Sequence, residues 1–179
     1  MMIDRDDAPV DQEFFDTASE ADQASLVESF MHRLVRPLSV AERGSLARSF
    51  GRTVLRFERG GPDVNSVAHC LLSGDRVVHA ELPKGFTMQD TGGALKNEKR
   101  AKRPGISAQR CLAPNYSMDA GEVLACIDFP YTMTRVYFEE NFYRVQVDCG
   151  PLSVMGSTEA LSLLSCLLHR KADLWKGLS

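Results

Sequence analysis

The side chains that could carry chemistry are spread singly along the 179-residue chain. The four histidines are His32, His69, His79 and His169, each alone in a predicted helix or strand. Glu139 and Glu140 are adjacent, and neighbouring residues of a strand point to opposite faces, so we do not expect a carboxylate pair. A nucleophilic Cys149 beside Gly150 would depend on a distant histidine. Because no Walker loop, GxGxxG, HExxH or GxSxG pattern occurs either, the sequence predicts a protein that is not an enzyme and needs no cofactor.

The cysteines give no sign of a metal site or of a disulfide framework. They are odd in number and widely spaced, they include no CxxC pair, and the histidines do not cluster with them. Their positions are Cys70, Cys111, Cys126, Cys149 and Cys166. Because free cysteine packs as a small apolar side chain, we expect plain thiols that are mostly buried.

Charge is distributed unevenly along the chain. The formal net charge of −3 argues against indiscriminate binding of polyanions. The first 28 residues, however, hold many acidic side chains against Arg5 alone, which leaves the remainder net positive. An acidic arm on a basic body is typical of proteins that contact nucleic acid.

Composition and hydropathy indicate an ordinary globular domain. The chain is 44% apolar and 25% charged, and no run approaches the roughly 20 apolar residues that cross a bilayer. Its start is acidic and lacks the basic and apolar regions of a signal peptide. We therefore expect a cytoplasmic protein that does not bind membranes.

Hydrophobic periodicity predicts a mixture of helices and strands. Apolar residues at helical spacing indicate helices over residues 17–36, 40–49, 63–71 and 156–176. Alternation with period two indicates strands over residues 52–59, 76–82, 122–127, 132–138, 142–148 and 152–155. Strands outnumber helices and do not alternate with them regularly. This order predicts an α+β fold with a mainly antiparallel sheet, helices on one face and a polar face free for binding. Residues 1–16 would be an acidic flexible tail, and residues 17–179 a single domain.

A long segment at about residues 83–120 has little periodicity and is strongly basic. Its cluster consists of Lys96, Lys99, Arg100, Lys102 and Arg103, with Arg110 further on. A loop of this length is usually functional or disordered. The cluster is compatible with RNA contact, with a solvated charge run and with a nuclear-import segment.

Polar side chains on the predicted strands form a second candidate binding set. Arg52 and Arg56 lie on one face of strand 52–59, while Arg144, Gln146 and Ser153 occupy polar positions of the C-terminal strands. Arginine with hydroxyl and amide groups suits phosphates and sugar hydroxyls. A merely solvated sheet face would show the same pattern, so the pattern alone leaves both interpretations open.

Two stretches of the chain contain motifs that resemble those of a known family in order and spacing. The first joins SFGRTV at 49–54, a basic predicted strand, SVAHCL at 66–71 and GDRV at 74–77. These motifs resemble the tombusvirus RNA-silencing suppressor family, which has a Phe-Gly-Lys-Val-Val strand start, a helix with Ser-Leu-His and a Gly-Asp-Ser-Val turn at similar intervals. The second stretch is an alternating strand, a short strand with a hydroxyl residue, Gly-Ser and a leucine helix with KADL at 171–174. Together they cover residues 45–80 and 141–176, under half of the chain.

The resemblance implies an α+β homodimer, assembled through its C-terminal strand and helix, whose sheet binds short double-stranded RNA without reading its sequence. By position, Arg52, Arg56 and Arg59 would act as the basic residues of the first strand, and Ser153 as a sheet hydroxyl. The paired N-terminal tryptophans that measure duplex length in that family have no counterpart, because Trp175 is the single tryptophan. The leading hypothesis is therefore a viral suppressor of RNA silencing that sequesters siRNA-like duplexes in the host cell. The alternative, which the net acidity favours, is a non-enzymatic protein-binding module such as a secretion chaperone or adaptor.

Overall fold

The computed structural model describes residues 17–34, 38–73 and 113–177. The described chain contains five helices and three strands. In chain order these are α1 (Glu20–Arg33), α2 (Val40–Val54), α3 (Pro62–Ser73), α4 (Ala120–Leu124), β1 (Thr132–Glu139), β2 (Phe142–Cys149), β3 (Leu152–Gly156) and α5 (Glu159–Lys176). The predicted tail 1–16, the predicted strand 76–82 and most of the predicted loop 83–120 lie outside the described residues.

Hydroxyl side chains fix the starts of the three longest helices. Ser19 Oγ accepts a hydrogen bond from the backbone N–H of Asp22 at the start of α1. Ser39 and Glu42 form a reciprocal capping box at the start of α2. Thr158 Oγ1 accepts from the Leu161 N–H at the start of α5. Each cap satisfies amide groups that the first helical turn leaves without a partner, and the predicted helix starts in these three places are confirmed.

The predicted strand over residues 52–59 is wrong, because α2 continues through this region to Val54. The buried side chains of α2 include Leu46, Phe50 and Val54, which repeat every four residues and form one face of a helix. Leu55 keeps a helical backbone and a turn follows it. The apolar residues of this region therefore fit both the period of a strand and the period of a helix. Packing against the rest of the domain selects the helix.

The predicted strand over residues 122–127 is also wrong. This segment begins with the short helix α4, whose first turn is capped by the Asp119 carboxylate, which accepts from the Gly121 N–H at 2.8 Å. Val123 is its fully buried side chain. The apolar run in this segment therefore contributes Val123 to the core from a helical turn and not from a strand.

The three strands form an antiparallel sheet in the order β1-β2-β3. In the β1–β2 hairpin, Met133 pairs with Val147 and Arg135 with Val145, and the register shifts between Tyr137 and Glu139. Gly150 makes the tight β2–β3 turn with a positive φ of 63°, which glycine adopts without strain. The predicted strands 132–138, 142–148 and 152–155 and the α+β class are confirmed.

Helices α2 and α5 pack closely because α2 has glycine where the two backbones approach. A Cβ added at Gly51 would lie 2.7 Å from His169 Nδ1, and the nearest atom to one added at Gly44 is the carbonyl oxygen of Ala172 at 3.5 Å. On its other side α5 meets the sheet, where the buried Ser162 hydroxyl donates to the Val145 carbonyl at 2.7 Å. Helix α5 is therefore the centre of the domain, and every residue from 160 to 169 is buried.

A disulfide links the sheet to α5. Cys149 at the end of β2 and Cys166 in α5 are bonded, and both are buried. The prediction of free thiols is therefore wrong for this pair, although Cys126 is not part of a disulfide. The two positions are 17 residues apart in the sequence and meet only through the β2–β3 turn and the return of the helix, which spacing alone does not reveal.

Candidate interaction surface

The predicted RNA-contacting arginines of residues 52–59 lie on a helix end and a turn rather than on a sheet. Arg52 is in the last turn of α2, and Arg56 and Arg59 are in the segment between α2 and α3. All three side chains are exposed, and none forms an ion pair with another described residue. They remain accessible cations, but they do not form the row of basic side chains across a sheet that the sequence predicts.

Arg144 lies inside the domain instead of on an open sheet face. It is only 6% exposed, it donates a hydrogen bond to Thr17 Oγ1 at 2.9 Å, and its guanidinium lies 5.3 Å from the centre of the Phe142 ring. Burial lowers the pKa of Arg144, while the nearby Glu58 carboxylate favours its charge. Its geometry is that of a residue that holds the start of α1 and the segment before α3 to the sheet.

Gln146 and Ser153 do lie together on the sheet face opposite α5, but around a carboxylate. Gln146 Nε2 donates to Asp148 Oδ1 at 2.9 Å and is 3.2 Å from Ser153 Oγ. Hydrogen bonds from Ser153 and Gln146 lower the pKa of Asp148, which keeps its negative charge. This polar face therefore carries an anion where a phosphate would have to bind. The basic cluster of Lys96, Lys99, Arg100, Lys102 and Arg103 lies outside the described residues.

The most unusual surface of the described chain is apolar and belongs to the β1–β2 hairpin. Tyr137 is 62% exposed, and four further large apolar side chains of the hairpin are each about 40% exposed. We call this set the hairpin patch, and it consists of Met133, Tyr137, Phe138, Phe142 and Tyr143. The rings form two tilted pairs, Tyr137 with Tyr143 at 5.5 Å and Phe138 with Phe142 at 5.9 Å between centroids.

An open cleft of about 540 Å³ lies beside the patch. Arg135 and Tyr143 line it from the hairpin, Thr158 and Glu159 from the start of α5, and Arg59 from the segment before α3. Arg135 donates to the Glu159 carboxylate at 3.0 Å and lies 5.4 Å from the centre of the Tyr143 ring. The cleft is thus mixed in charge, and its arginine on the hairpin is already neutralised.

A polar network fixes the position of Ser117, which lines the cleft together with Gly60. Asn65 Oδ1 accepts from the Ser117 backbone N–H and from the Ser117 hydroxyl, both at 2.7 Å. The Asn65 amide group donates to Asn115 at 2.8 Å. A Cβ at Gly60 would overlap Ser117, so glycine is required for this close approach. These groups satisfy one another, which indicates a structural role.

The hairpin patch was missed in the sequence, although its strands were found. Alternation with period two places Tyr143, Val145 and Val147 on one face of β2. Burial separates them, because both valines are buried and Tyr143 is 40% exposed. The available signal was the aromatic density at the hairpin end, where Tyr137-Phe138 and Phe142-Tyr143 place rings on both faces of the sheet. In a two-layer domain, a sheet packs on helices with one face and leaves its other face uncovered. Rings on both faces of the sheet therefore predict that some of them are exposed.

Among residues 17–34, 38–73 and 113–177, no group of three or more His, Cys, Asp or Glu side chains is placed to hold a metal ion. No helix in the same part of the chain is long and apolar enough to cross a membrane. Comparison of the chain with known protein families, with curated proteins and with solved structures finds no match.

Proposed function

We propose that this protein is a non-enzymatic protein-binding module that docks a partner on the hairpin patch. The observation that carries the proposal is the exposure of five large apolar side chains, four of them aromatic, in one hairpin at the edge of the sheet. Single scattered apolar residues on a surface need no explanation, but large apolar side chains concentrated in one small region are typical of an interaction site.

The chemistry of the patch fits a protein partner. Tyrosine, phenylalanine and methionine are enriched in the cores of protein interfaces, and aromatic rings bury a large area with little loss of side-chain freedom. The Tyr137 and Tyr143 hydroxyls can also keep hydrogen bonds at the rim of such an interface. One charged side chain, Arg135, lies between Met133 and Tyr137 on β1, and its charge is paired with Glu159.

A capture experiment with matched variants tests this proposal. The wild-type chain, the double variant Tyr137→Ser/Tyr143→Ser and the control Leu174→Ser are immobilised and exposed to extract of the source cells. Leu174 is 55% exposed on α5, so its variant removes a comparable exposed apolar group away from the hairpin. We expect proteins that bind the wild type and the control equally and are lost from the double variant, and each is then purified and titrated directly. Identical capture by all three chains would refute docking on the patch.

Short double-stranded RNA is the second candidate ligand, and the accessible arginines favour it. Arg52, Arg56 and Arg59 are exposed and have no ion-pair partner among the described residues, so their charges are available to phosphates. The negative charge of Asp148 on the polar sheet face disfavours phosphate binding there. In this candidate the chain would act as a homodimer through β3 and the end of α5, where Asp173, Leu174 and Lys176 are exposed.

A titration distinguishes the two candidates. A duplex RNA of about 21 base pairs, the matched DNA duplex and single-stranded RNA are titrated by fluorescence anisotropy at two salt concentrations, because phosphate contacts weaken with salt. RNA sequestration requires salt-sensitive binding to the RNA duplex, weakened for every duplex sequence alike in Arg52→Ala/Arg56→Ala but not in the control Arg33→Ala. Absence of binding to all three nucleic acids would remove this candidate.

A further inference from the structure

Strand β1 is an edge strand whose outer side meets no other described strand. It pairs with β2 on one side only, and seven of its eight residues are exposed, with Val136 half-buried. A strand in this position offers a row of unpaired N–H and C=O groups that another extended chain can bind. The register shift between Tyr137 and Glu139 ends the regular stretch, so Thr132 to Tyr137 is the part that can pair.

The second edge of the sheet is less suited to such pairing. Strand β3 has five residues and follows Pro151, which cannot donate a ladder hydrogen bond. Just beyond its end, the Ser157 hydroxyl donates to the Phe57 carbonyl, which holds the segment before α3 against that corner. The apolar side chains that could stabilise an added strand also lie on the hairpin and not on β3.

The charge around the β1 edge is negative. Asp128 precedes the strand, and Glu139 and Glu140 stand at its end; all three are exposed and none forms an ion pair with a described residue. The positive charge in the middle of β1 is neutralised, because Arg135 is paired with Glu159 at 3.0 Å. An acidic edge attracts a basic partner and disfavours an acidic one.

The side chains of β1 differ between the two faces. Met133, Arg135 and Tyr137 point to the face that packs on α5, since their partners on β2 are Val147, Val145 and Tyr143. Thr132, Thr134 and Val136 point to the opposite face. An added strand would therefore place apolar side chains beside Met133 and Tyr137 and β-branched side chains beside the threonines, as cross-strand pairs prefer.

We propose that the partner segment binds in extended form as a fourth strand along β1, with apolar residues at alternate positions and Lys or Arg at its ends. This inference rests on the proposed function and adds the conformation and charge of the ligand. Backbone hydrogen bonds to residues 132–137 supply affinity, the alternate side chains supply register, and the basic ends pair with Asp128, Glu139 and Glu140.

A selection from a displayed library of random 12-residue peptides tests the inference with a defined probe. Peptides are selected on the full wild-type chain, and the strongest binder is synthesised and titrated by fluorescence anisotropy. We expect enriched sequences with alternating apolar residues and terminal Lys or Arg. The charge-reversal variant Glu139→Lys/Glu140→Lys should weaken binding about fivefold or more at low salt and less at high salt, because these charges lie at the rim of the site. A charge reversal elsewhere on the surface, Glu28→Lys in α1, serves as the matched control and should leave the affinity unchanged.

Hydrogen exchange of the bound complex reports the conformation of the ligand. Addition of a strand should slow exchange at alternate backbone amides of β1 whose N–H groups point outward and should leave the amides of α1 unchanged. Peptides that bind the wild type and not Tyr137→Ser, but that are acidic or leave β1 exchange unchanged, would overturn the added strand while supporting docking on the patch. Failure of every peptide to prefer the wild type over Tyr137→Ser would count against the proposed function itself.

Discussion

The α2–α5 helix pair and the β1–β2 hairpin use similar apolar side chains for opposite purposes. In α5 every residue from 160 to 169 is buried between α2 and the sheet, whereas β1 has seven exposed residues of eight. Both regions are regular secondary structure. The difference lies in the layers that cover them, because α5 packs on α2 and on strands β2 and β3, whereas β1 pairs with β2 on one side only. Apolar surface thus stabilises the fold in one region and remains available for association in the other.

The comparison predicts its largest contrast for two aromatic truncations. Phe50 is fully buried and makes an edge-to-face contact with Phe30 at 4.8 Å, so Phe50→Ala should lower the free energy of unfolding by about 3–5 kcal/mol. Tyr137 is 62% exposed, so Tyr137→Ala should change it by only about 0.5 kcal/mol. Urea unfolding followed by far-UV circular dichroism measures both. Similar losses for the two variants would show that the hairpin is part of the cooperative core.

Two glycines of α2 should respond differently to substitution by alanine, because they differ in their distance from α5. A Cβ at Gly51 would lie 2.7 Å from His169 Nδ1 and 3.3 Å from the Ser165 carbonyl oxygen, so Gly51→Ala should destabilise the domain by about 1–3 kcal/mol. The nearest atom to a Cβ at Gly44 is 3.5 Å away, which is ordinary contact, and alanine is the better helix former. Gly44→Ala should therefore stabilise by about 0.5–1 kcal/mol. Thermal denaturation of both variants decides this, and destabilisation of equal size would contradict the difference in spacing.

The sequence predicts the C-terminal unit well because its local signals agree with its packing. The alternation of residues 142–148, the positive φ of Gly150 and the cap of Thr158 all specify the conformation that the core then requires. The segment after Phe50 is the opposite case, since its residues fit both a strand and a helix. Its contacts with α5, which are distant in sequence, select the helix.

The candidate site was less predictable, because exposure is a property of the tertiary structure. Arg144 was assigned correctly to the polar side of β2, but Thr17 and Glu58 come from distant segments and enclose it. Tyr137 and Tyr143 occupy positions that alternate as core residues do, and the structure leaves them uncovered. A pattern gives the face on which a side chain lies, and only the arrangement of layers decides whether that face is covered.

A smaller difference in stability is expected between the truncation of a buried serine and that of an exposed serine. The Ser162 hydroxyl is buried and donates to the Val145 carbonyl at 2.7 Å, so Ser162→Ala should cost about 1–2 kcal/mol by removing the link between α5 and β2. Ser153 is exposed on the opposite face of the sheet, and Ser153→Ala should cost less than about 0.5 kcal/mol. Urea midpoints of the two variants measure the difference. A larger loss at Ser153 would mean that the polar sheet face contributes more to stability than its exposure indicates.

The smallest expected effect on stability at neutral pH comes from His169, which belongs to the α2–α5 helix pair. Burial lowers the pKa of His169 below its ordinary value of 6.5, and the positive charges of Arg52 and Arg48 lower it further, against a hydrogen bond from Nδ1 to the Ser165 carbonyl that favours the charged form. Above pH 6.5 the imidazole is neutral in both the folded and the unfolded chain, so its titration does not change stability there. As the pH falls below 6.5 the unfolded chain binds the proton first, and stability should decrease until the lowered pKa of the folded state is passed. Urea midpoints at about pH 7.5, 6.5 and 5.5 should fall for the wild type and fall less for His169→Gln, because glutamine does not titrate. If both chains lose stability in parallel over this range, the acid sensitivity comes from other groups and His169 is not the residue that couples the α2–α5 pair to pH.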